Sequence, residues 1–327
     1  MGEIPATNAG NMPCGSGAIG YFPIARILAY LRGCLSKNKI TTTMSAQHHN
    51  LWSRVRGRYI RDTARFLFRR PFKIDTRVPF ISFTFDDFPR SALHTGGAIL
   101  KQYGVRGTYY ASLGLMGKQA PTGEMFLPDD LKKVLEEGHE LGCHTFGHCD
   151  SAETKTGVFE ASIKENQSAL DKLAPGISFK TFSYPISPPR MRTKRRISKY
   201  FVCCRGGGQN FNVGTADLNY LGAYFLEKTR DSPEVVEDLI DRNRQARGWL
   251  ILATHDVCGH PTPYGCTPEF FEAIVRGAVR SGARILPVIQ AWEALRSGSS
   301  ELRIPGREEE SVDNHVESGR RIGSSRL

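Results

Sequence analysis

The feature that most constrains the fold of this chain is a repeated alternation of apolar, β-prone runs with helix-like segments. Successive strands separated by helices run parallel, and this many repeats favours an α/β barrel over an open sheet. In such a barrel, functional side chains lie at the carboxyl ends of the strands. The strand-like runs are 80–85, 107–111, 140–143, 179–184, 200–203, 220–226, 249–253 and 284–288, and the helix-like segments are 92–103, 128–137, 153–173, 233–247 and 268–281.

The organised part of the chain is expected at residues 75–296, which is an ordinary size for one domain. Residues 1–50 are rich in Gly, Ala, Thr and Asn and lack a strong period, so we expect a poorly structured N-terminal extension, with Met44 as an alternative start. Residues 297–327 are polar and nearly free of large apolar side chains, which is typical of a disordered tail.

Much of the formal net charge of +11 lies in one segment, residues 51–73. It holds eight basic residues and one acidic residue, so seven of the eleven net charges are local. Its arginines recur at steps of three and four, which predicts a basic amphipathic helix over 51–74. Such a helix either packs on the domain with a solvated basic face or lies peripherally on an anionic membrane surface. No zinc-finger or RNA-binding motif accompanies it, so nucleic acid is not an expected partner.

The sequence carries no export signal that we recognise. The most apolar early stretch, residues 17–35, is interrupted by Arg26 and Arg32 and follows a start without basic residues, unlike a signal peptide. The eight cysteines include no CxxC pair, and the adjacency of Cys203 and Cys204 does not suit a disulfide framework. We therefore expect reduced thiols and a cytoplasmic protein, peripheral to the membrane if the basic helix lies on one.

Titratable side chains stand at the ends of three strand-like runs. Asp86 and Asp87 follow the run 80–85 with no loop residue between, so burial is expected and a partner cation is needed. His255 ends the apolar run that begins at Trp249, which makes it a candidate general acid. Taken alone, a histidine in that position is more often buried with its hydrogen bonds satisfied.

A histidine pair follows the run 140–143. His144 and His148 fall on one face if a helical turn begins there, and both can then reach a single ion. With a strand-end carboxylate they form a two-histidine, one-carboxylate metal site with open positions, as hydrolytic metals require. Cys143 and Cys149 flank the pair, so thiolate ligands are an alternative, which we consider weaker.

These motifs resemble those of a known family. Thr84-Phe-Asp-Asp87, His144-Thr-Phe-Gly-His148 and the late strand that ends in His255 are similar to the first, second and fifth motifs of the polysaccharide deacetylases. These are the NodB-homology enzymes of carbohydrate esterase family 4, and the resemblance spans about residues 80–288. It implies a distorted, NodB-like (β/α) barrel of about seven parallel strands that holds one divalent metal ion.

The resemblance also implies residue roles. Asp87, His144 and His148 correspond to metal ligands, Asp86 to the catalytic base and His255 to the general acid. Zinc suits this ligand set best, and cobalt, nickel or iron fit the same ligands. Aromatic side chains that we expect either to stack on a sugar ring or to be core residues are Phe88, Tyr109, Phe146 and Tyr264.

The sequence departs from the family in two motifs. The third motif usually carries an Arg and a Pro-Tyr pair. This chain keeps Tyr184-Pro185, to which the resemblance assigns a backbone N–H for the oxyanion, but no Arg stands just before it. Arg205, after a later strand, is the candidate replacement. The fourth motif, an Asp-Trp element that tunes the acid histidine, has no obvious counterpart, and Asp217 is the nearest acidic candidate.

The resemblance predicts a metal-dependent hydrolase that removes N-acetyl groups from an amino-sugar-containing glycan or glycoconjugate. One alternative is a deformylase or another amide hydrolase of the same barrel family, because specificity depends on loop shape. A second alternative is a catalytically silent carbohydrate-binding barrel, suggested by the altered third and fourth motifs. The third is a membrane-surface scaffold, which rests only on the basic segment 51–73.

Overall fold

The structure is a computed structural model that describes residues 45–230 and 232–301, with side chains for 54–230 and 232–298. The account below concerns the described residues of the unit that begins at Val55. The expectations for residues 1–44 and 302–327 lie outside the described residues.

The described residues form a barrel of parallel strands with helices between them. The strands are β1 (Pro71–Lys73), β2 (Phe80–Phe85), β3 (Thr108–Ala111), β4 (Gln119–Ala120), β5 (Gly123–Glu124), β6 (Glu140–Cys143), β7 (Thr181–Ser183), β8 (Cys203–Arg205), β9 (Thr215–Asp217), β10 (Tyr224–Phe225), β11 (Trp249–Thr254) and β12 (Arg284–Ile285). The helices are α1 (Ser45–Phe66), α2 (Ala98–Gln102), α3 (Pro128–Glu136), α4 (Thr156–Leu173), α5 (Met191–Ile197), α6 (Pro233–Ala246), α7 (Pro268–Arg280) and α8 (Val288–Glu301).

The main sheet confirms the predicted α/β barrel of about seven parallel strands. Its strand order is β10-β11-β2-β3-β6-β7-β8, and β12 pairs with β2 beside this path. β2 and β11 are buried at every residue and pair in parallel over six positions. Continuous burial is typical of parallel strands that are covered on both faces, which explains why these two segments read as unbroken apolar runs.

The two ends of the sheet meet through the segment 221–225. Leu221 forms a parallel bridge with Arg205 at the end of β8, and Tyr224 and Phe225 pair with β11. The segment therefore joins the last strand of the sheet order to the first. This closure brings the carboxyl ends of β2, β6, β7, β8 and β11 around one opening.

Helix α7 illustrates how the helices cover this barrel. The Thr267 side chain accepts a hydrogen bond from the Phe270 N–H, and Pro268 occupies the first turn, as the sequence signals predicted. The buried residues of α7 repeat at helical spacing, and Phe271 packs edge-on against Phe83 of β2 with ring centroids 5.7 Å apart. Burial of this apolar stripe, rather than helix propensity, holds α7 on the barrel.

The basic helix has different bounds from those predicted. α1 ends at Phe66 instead of residue 74, and β1 follows and pairs antiparallel with β9. Pro71 explains the difference, because proline removes a helical hydrogen bond and disfavours helix in the residue before it. At the other end of the domain, α8 continues past residue 296 to Glu301. Among the described helices, none combines the length and apolarity needed to cross a membrane.

Candidate functional site

The predicted site residues meet at one end of the barrel. Asp86 and Asp87 directly follow β2, His144 directly follows β6, and His255 directly follows β11. All four, together with His148, line one cleft of about 1300 Å³. The carboxyl ends of parallel strands share one edge, so residues far apart in sequence converge there.

Asp87, His144 and His148 form a compact cluster. Their ligand atoms all lie within 4.8 Å of one another, and no other group of this kind occurs among the described residues. Asp87 Oδ1 lies 3.3 Å from His144 Nε2 and 2.9 Å from His148 Nε2. The structure thus brings together the three side chains that the sequence motifs suggested as metal ligands.

The hydrogen bonds around this cluster fit a bound cation. His144 Nδ1 lies 2.9 Å from the Ser183 carbonyl oxygen, which only accepts, so Nδ1 donates there and Nε2 is the ring nitrogen that faces Asp87. Asp87 Oδ2 accepts a hydrogen bond from the Thr122 hydroxyl, whereas the buried Oδ1 has no hydrogen-bond partner. A buried carboxylate oxygen without a hydrogen-bond donor, beside two imidazole nitrogens, fits a bound cation, and the donor set suits a divalent transition metal.

Electrostatics keep the Asp87 carboxyl ionised. Burial alone would raise its pKa, but the neighbouring His144 and His148 together outweigh burial and hold the pKa well below its usual range. Burial likewise opposes charge on His148, and the neighbouring carboxylates, Asp87 first among them, together outweigh it, so the pKa of His148 is raised. The carboxylate is therefore in the form that binds a metal.

The backbone at this cluster is unusual for residues other than glycine. Asp87, Phe88, Thr145 and His148 adopt left-handed conformations, with φ of 62°, 63°, 62° and 51°. A side chain in this region costs of order 1 kcal/mol or more and persists only where the surroundings enforce it. Such strain at ligand positions is typical of a functional site.

The thiolate alternative does not fit this geometry. The Cys143 side chain is buried, and Asn166 donates a hydrogen bond to its sulfur. Burial raises the pKa of Cys143 to about 12, so this residue is a neutral thiol. Cys143 is therefore a packed core residue.

Asp86 is paired with a buried arginine. The guanidinium of Arg205 donates to Asp86 Oδ1 and to the Ser183 hydroxyl, and its carbon lies 5.1 Å from the centre of the Tyr110 ring. Burial would raise the pKa of Asp86, but the charges of Arg205, His144 and His255 together outweigh burial and lower it. Asp86 is thus held as a carboxylate that is not part of the metal cluster.

The strand register explains why Arg205 reaches this position. Ser183, just before Tyr184, stands where the resemblance would place an Arg, and in the sheet Ser183 pairs directly with Arg205 of β8. Directly paired residues of neighbouring strands project to the same face. The adjacent strand β8 therefore supplies the guanidinium group that pairs with Asp86.

The structure corrects the expectation for the Tyr184 backbone. Tyr184 lines the cleft, but its N–H donates to the Arg205 carbonyl at 3.0 Å and its hydroxyl donates to the Asn219 carbonyl at 3.2 Å. This N–H is spent on the β7–β8 pairing and is not free for an oxyanion. The next N–H in the chain belongs to Ile186, which lines the same cleft and makes no backbone hydrogen bond to another described residue.

His255 is held by its neighbours in a defined tautomer. Its Nδ1 lies 3.1 Å from the Tyr264 carbonyl oxygen, so Nδ1 carries the proton and Nε2 is left for proton transfer. Asp256 fixes the loop that contains Tyr264, because it accepts hydrogen bonds from the Thr262 N–H at 2.7 Å and the Thr262 hydroxyl at 2.6 Å. Sequence reasoning missed Asp256, although its position directly after His255 was a signal for it.

Asp217 does not serve as the partner of His255. It is buried in β9, where it forms an ion pair of 2.6 Å with Lys194 and accepts the Arg70 and Asn219 N–H groups. The carboxyl groups of Asp86 and Glu227 both interact electrostatically with His255, and sequence reasoning missed Glu227. Burial raises the pKa of Glu227, and no sequence motif marked it.

Of the four aromatic residues considered for sugar stacking, one lies in the cleft. Tyr264 is exposed there, whereas Phe88 and Tyr109 are fully buried core residues. Phe146 packs against the core and does not line the cleft.

Residues 73–200 match the family model for polysaccharide deacetylase. The fold and the site together define a class of protein: parallel α/β barrels with an Asp-His-His cluster at the ends of their strands. The stretch 73–200 is thus similar to the polysaccharide deacetylase family, the family that the sequence motifs resemble. The family match ends before β8, so the segment that carries Arg205 and His255 lies outside it.

Among curated proteins, the chain is 23% identical over 202 residues to gellan lyase of a Bacillus species. That match covers 56% of this chain but only 8% of the relative, so this chain spans a small part of that protein. Among solved structures, the chitin deacetylase of Colletotrichum lindemuthianum has a TM-score of 0.49 and 17% identity, covering 67% of this chain and 89% of that one. The peptidoglycan deacetylase PdaC of Bacillus subtilis has a TM-score of 0.46 and 19% identity, covering 70% and 98%.

Proposed function

We propose that this protein is a metal-dependent hydrolase that removes N-acetyl groups from amino sugars of a glycan or glycoconjugate. The observation that carries the proposal is the convergence of Asp87, His144 and His148 beside the Asp86–Arg205 pair in one cleft. When bound at these ligands, a divalent ion, with zinc our first choice, supplies Lewis acidity toward the amide carbonyl and the attacking water.

Asp86 acts as the general base in this mechanism. Its lowered pKa keeps it ionised, so it can take a proton from the attacking water. The hydrogen bonds from Arg205 and Ser183 both fall on Oδ1, which leaves Oδ2 to receive that proton. Arg205 keeps the carboxylate in place and is itself held by stacking on Tyr110.

His255 acts as the general acid. With Nδ1–H donated to the Tyr264 carbonyl, a second proton on Nε2 is the one it transfers to the departing amine. The amine then leaves neutral. Since Asp86 must be ionised while His255 is protonated, we expect a bell-shaped pH profile, and a flat profile would contradict this assignment of roles.

The oxyanion that forms at the amide carbon needs a donor. The backbone N–H of Ile186 meets this need in the proposal, because Tyr184 N–H is already bonded. Ile186 has a left-handed φ of 61°, and its side chain is largely exposed on the cleft wall. A preorganised N–H at that place stabilises charge that develops in the transition state.

The test is acetate release by purified, metal-analysed protein from a panel of N-acetylated oligosaccharides. We expect about one divalent ion per chain and acetate from at least one substrate. Release of formate from N-formyl sugars without acetate would favour the deformylase alternative. Metal-free protein that binds oligosaccharides without turnover would favour the silent carbohydrate-binding barrel and overturn the proposal.

A further inference from the structure

The basic segment of α1 forms one wall of the catalytic cleft. Arg61 and Arg65 of α1, and Arg69 after it, line the same cleft as Asp86 and His255. The sequence left open whether this charge faces solvent or a membrane surface. Its position on the cleft gives a third possibility, because these guanidinium groups face the same cleft as the metal cluster.

The end of α1 is fixed in place beside the barrel. Lys194 is fully buried, and its ammonium donates to the Ala64 carbonyl at 2.6 Å and to the Leu67 carbonyl at 2.9 Å. It also pairs with Asp217 of β9. A cation on the last carbonyls of a helix satisfies groups that have no helical partner. The arginines of the last turns of α1 are therefore held at the cleft by a built contact.

The carboxylates that line this cleft do not neutralise its three arginines, because most of these carboxylates are paired with other groups. Each of its carboxylates has a partner, except Glu227, whose pKa burial raises toward the neutral form. Arg69 donates to the Thr215 carbonyl, and Arg61 and Arg65 form no ion pair with any described carboxylate. The paired carboxylates are Asp62 with Arg58, Asp86 with Arg205, Asp87 with His144 and His148, and Asp217 with Lys194.

We propose that this wall, Arg61, Arg65 and Arg69, binds an anionic group on the substrate, so that the preferred substrate is an acidic N-acetylated glycan or glycoconjugate. The inference rests on the proposed function and adds its substrate class. Guanidinium groups match carboxylate and phosphate oxygens in a paired geometry, so either group on the glycan fits this wall. A cleft of about 1300 Å³ exceeds the usual range for small-molecule sites and accommodates a chain of several sugars.

The test compares three substrates that differ in charge. They are N-acetylglucosamine tetrasaccharide, which is neutral; a tetrasaccharide of alternating glucuronate and N-acetylglucosamine, which carries carboxylates; and an N-acetylglucosamine tetrasaccharide with a 1-phosphate. We expect a higher kcat/KM for at least one acidic substrate than for the neutral one. The two acidic arms distinguish a carboxylate from a phosphate as the group recognised.

Single substitutions in α1 locate the effect. We expect Arg61→Gln and Arg65→Gln each to raise KM for the preferred acidic substrate about tenfold, which corresponds to the loss of one charge-assisted hydrogen bond. The KM for the neutral substrate should not change. Arg56→Gln is the matched control on the same helix, because Arg56 pairs with exposed Glu153 and does not line the cleft. Raised salt should weaken the preference in the wild type more than in the variants.

Calorimetric titration with the glucuronate-containing and phosphorylated tetrasaccharides separates this inference from the proposed function. If the protein releases no acetate but binds either acidic tetrasaccharide, and Arg61→Gln and Arg65→Gln lose that binding, the acidic-ligand inference is supported while the proposed function fails. Equal kcat/KM for neutral and acidic substrates in protein that does release acetate would overturn the inference alone. Equal affinities for the neutral and acidic tetrasaccharides, together with binding to anionic vesicles, would assign the basic wall to a membrane instead.

Discussion

At the scale of single residues, two adjacent aspartates have different environments. Asp86 is bonded to Arg205 and Ser183, whereas Asp87 faces His144 and His148. The left-handed backbone at Asp87 turns its side chain away from the direction that a continued strand would give it. The sequence showed that both aspartates end a strand, and the resemblance, rather than the residue pattern, distinguished their roles.

The first prediction separates these two aspartates. Asp87→Asn is expected to lower metal content, because it removes the charged ligand whose Oδ1 faces both histidines. Asp86→Asn is expected to keep the metal and to lower kcat by about 10²- to 10⁴-fold, the usual contribution of a general base. Metal analysis of each purified variant alongside its kcat checks this. Loss of metal in Asp86→Asn would mean that the roles are exchanged.

At the scale of secondary-structure elements, the pairing of β7 with β8 determines the surroundings of Asp86. Arg205 is 22 residues from Ser183 in the chain, yet the two are direct partners in the sheet. Sequence patterns predicted both strands, but the register between strands depends on packing across the sheet, which a single sequence does not reveal. This is why Arg205 was only a candidate and why the backbone N–H expected near Tyr184 could not be assigned to one residue.

The second prediction exchanges these two partners. Arg205→Ser should lower kcat about 100-fold, because Asp86 loses the cation that keeps it ionised and oriented. Adding Ser183→Arg to the Arg205→Ser variant should recover part of that loss, because the new guanidinium group projects from the paired position on the same face of the sheet. Turnover and circular dichroism of both variants check this. A double variant that is folded yet no more active than Arg205→Ser would contradict it.

The third prediction concerns the loop after β11. A Cβ at Gly265 would overlap both the carboxylate and the backbone carbonyl of Asp256, so Gly265→Ala must displace the residue that fixes this loop. We expect a destabilisation of about 1–3 kcal/mol, as for other overpacked sites, and a lower kcat with metal retained, because the Tyr264 carbonyl no longer orients His255.

Gly259→Ala is the control for this loop, since nothing lies within 4 Å of a Cβ at that position. Urea unfolding and kcat are measured for both variants. Equal effects of the two substitutions would argue against a positioning role for the Asp256 contact.

At the scale of the whole molecule, the sequence predicted the parallel barrel and the edge at which the site lies. Alternation and the helix-end signals at Thr267 and Pro268 were sufficient for that, because they are local. The link between α1 and the cleft was not predictable. It depends on the buried Lys194, which contacts Asp217 and the end of α1, and no local pattern marks a lysine as buried.

The fourth prediction concerns the pH dependence of stability. His139 is buried and its Nδ1 accepts the Gly107 N–H at 2.9 Å. Burial lowers its pKa from 6.5 to about 4, so between these values the unfolded chain binds a proton that the folded protein does not. Neutral His139 therefore makes its full contribution of ~3 kcal/mol to the free energy of unfolding above pH 6.5. This contribution is lost as the pH falls to about 4.

Urea unfolding at several pH values checks this prediction. His139→Asn removes the titration and keeps an acceptor for the Gly107 N–H, so the stability of this variant should decline less steeply between pH 6.5 and 4. The slopes are compared rather than the absolute stabilities. Parallel slopes would show that other groups account for the acid sensitivity.

The closure of the barrel has a consequence for behaviour at high protein concentration. A single bridge between Arg205 and Leu221 joins β8 to the segment 221–225, whereas β2 and β11 are paired over six positions. If this seam opens, unpaired backbone groups of β8 become an edge to which a second chain can add, which is a route to aggregation. The Cys204 carbonyl and the Gly206 N–H make the two hydrogen bonds to Leu221 that close this edge, and the Arg205 side chain between them holds Asp86. Resistance to aggregation and the position of the proposed base therefore depend on the same strand.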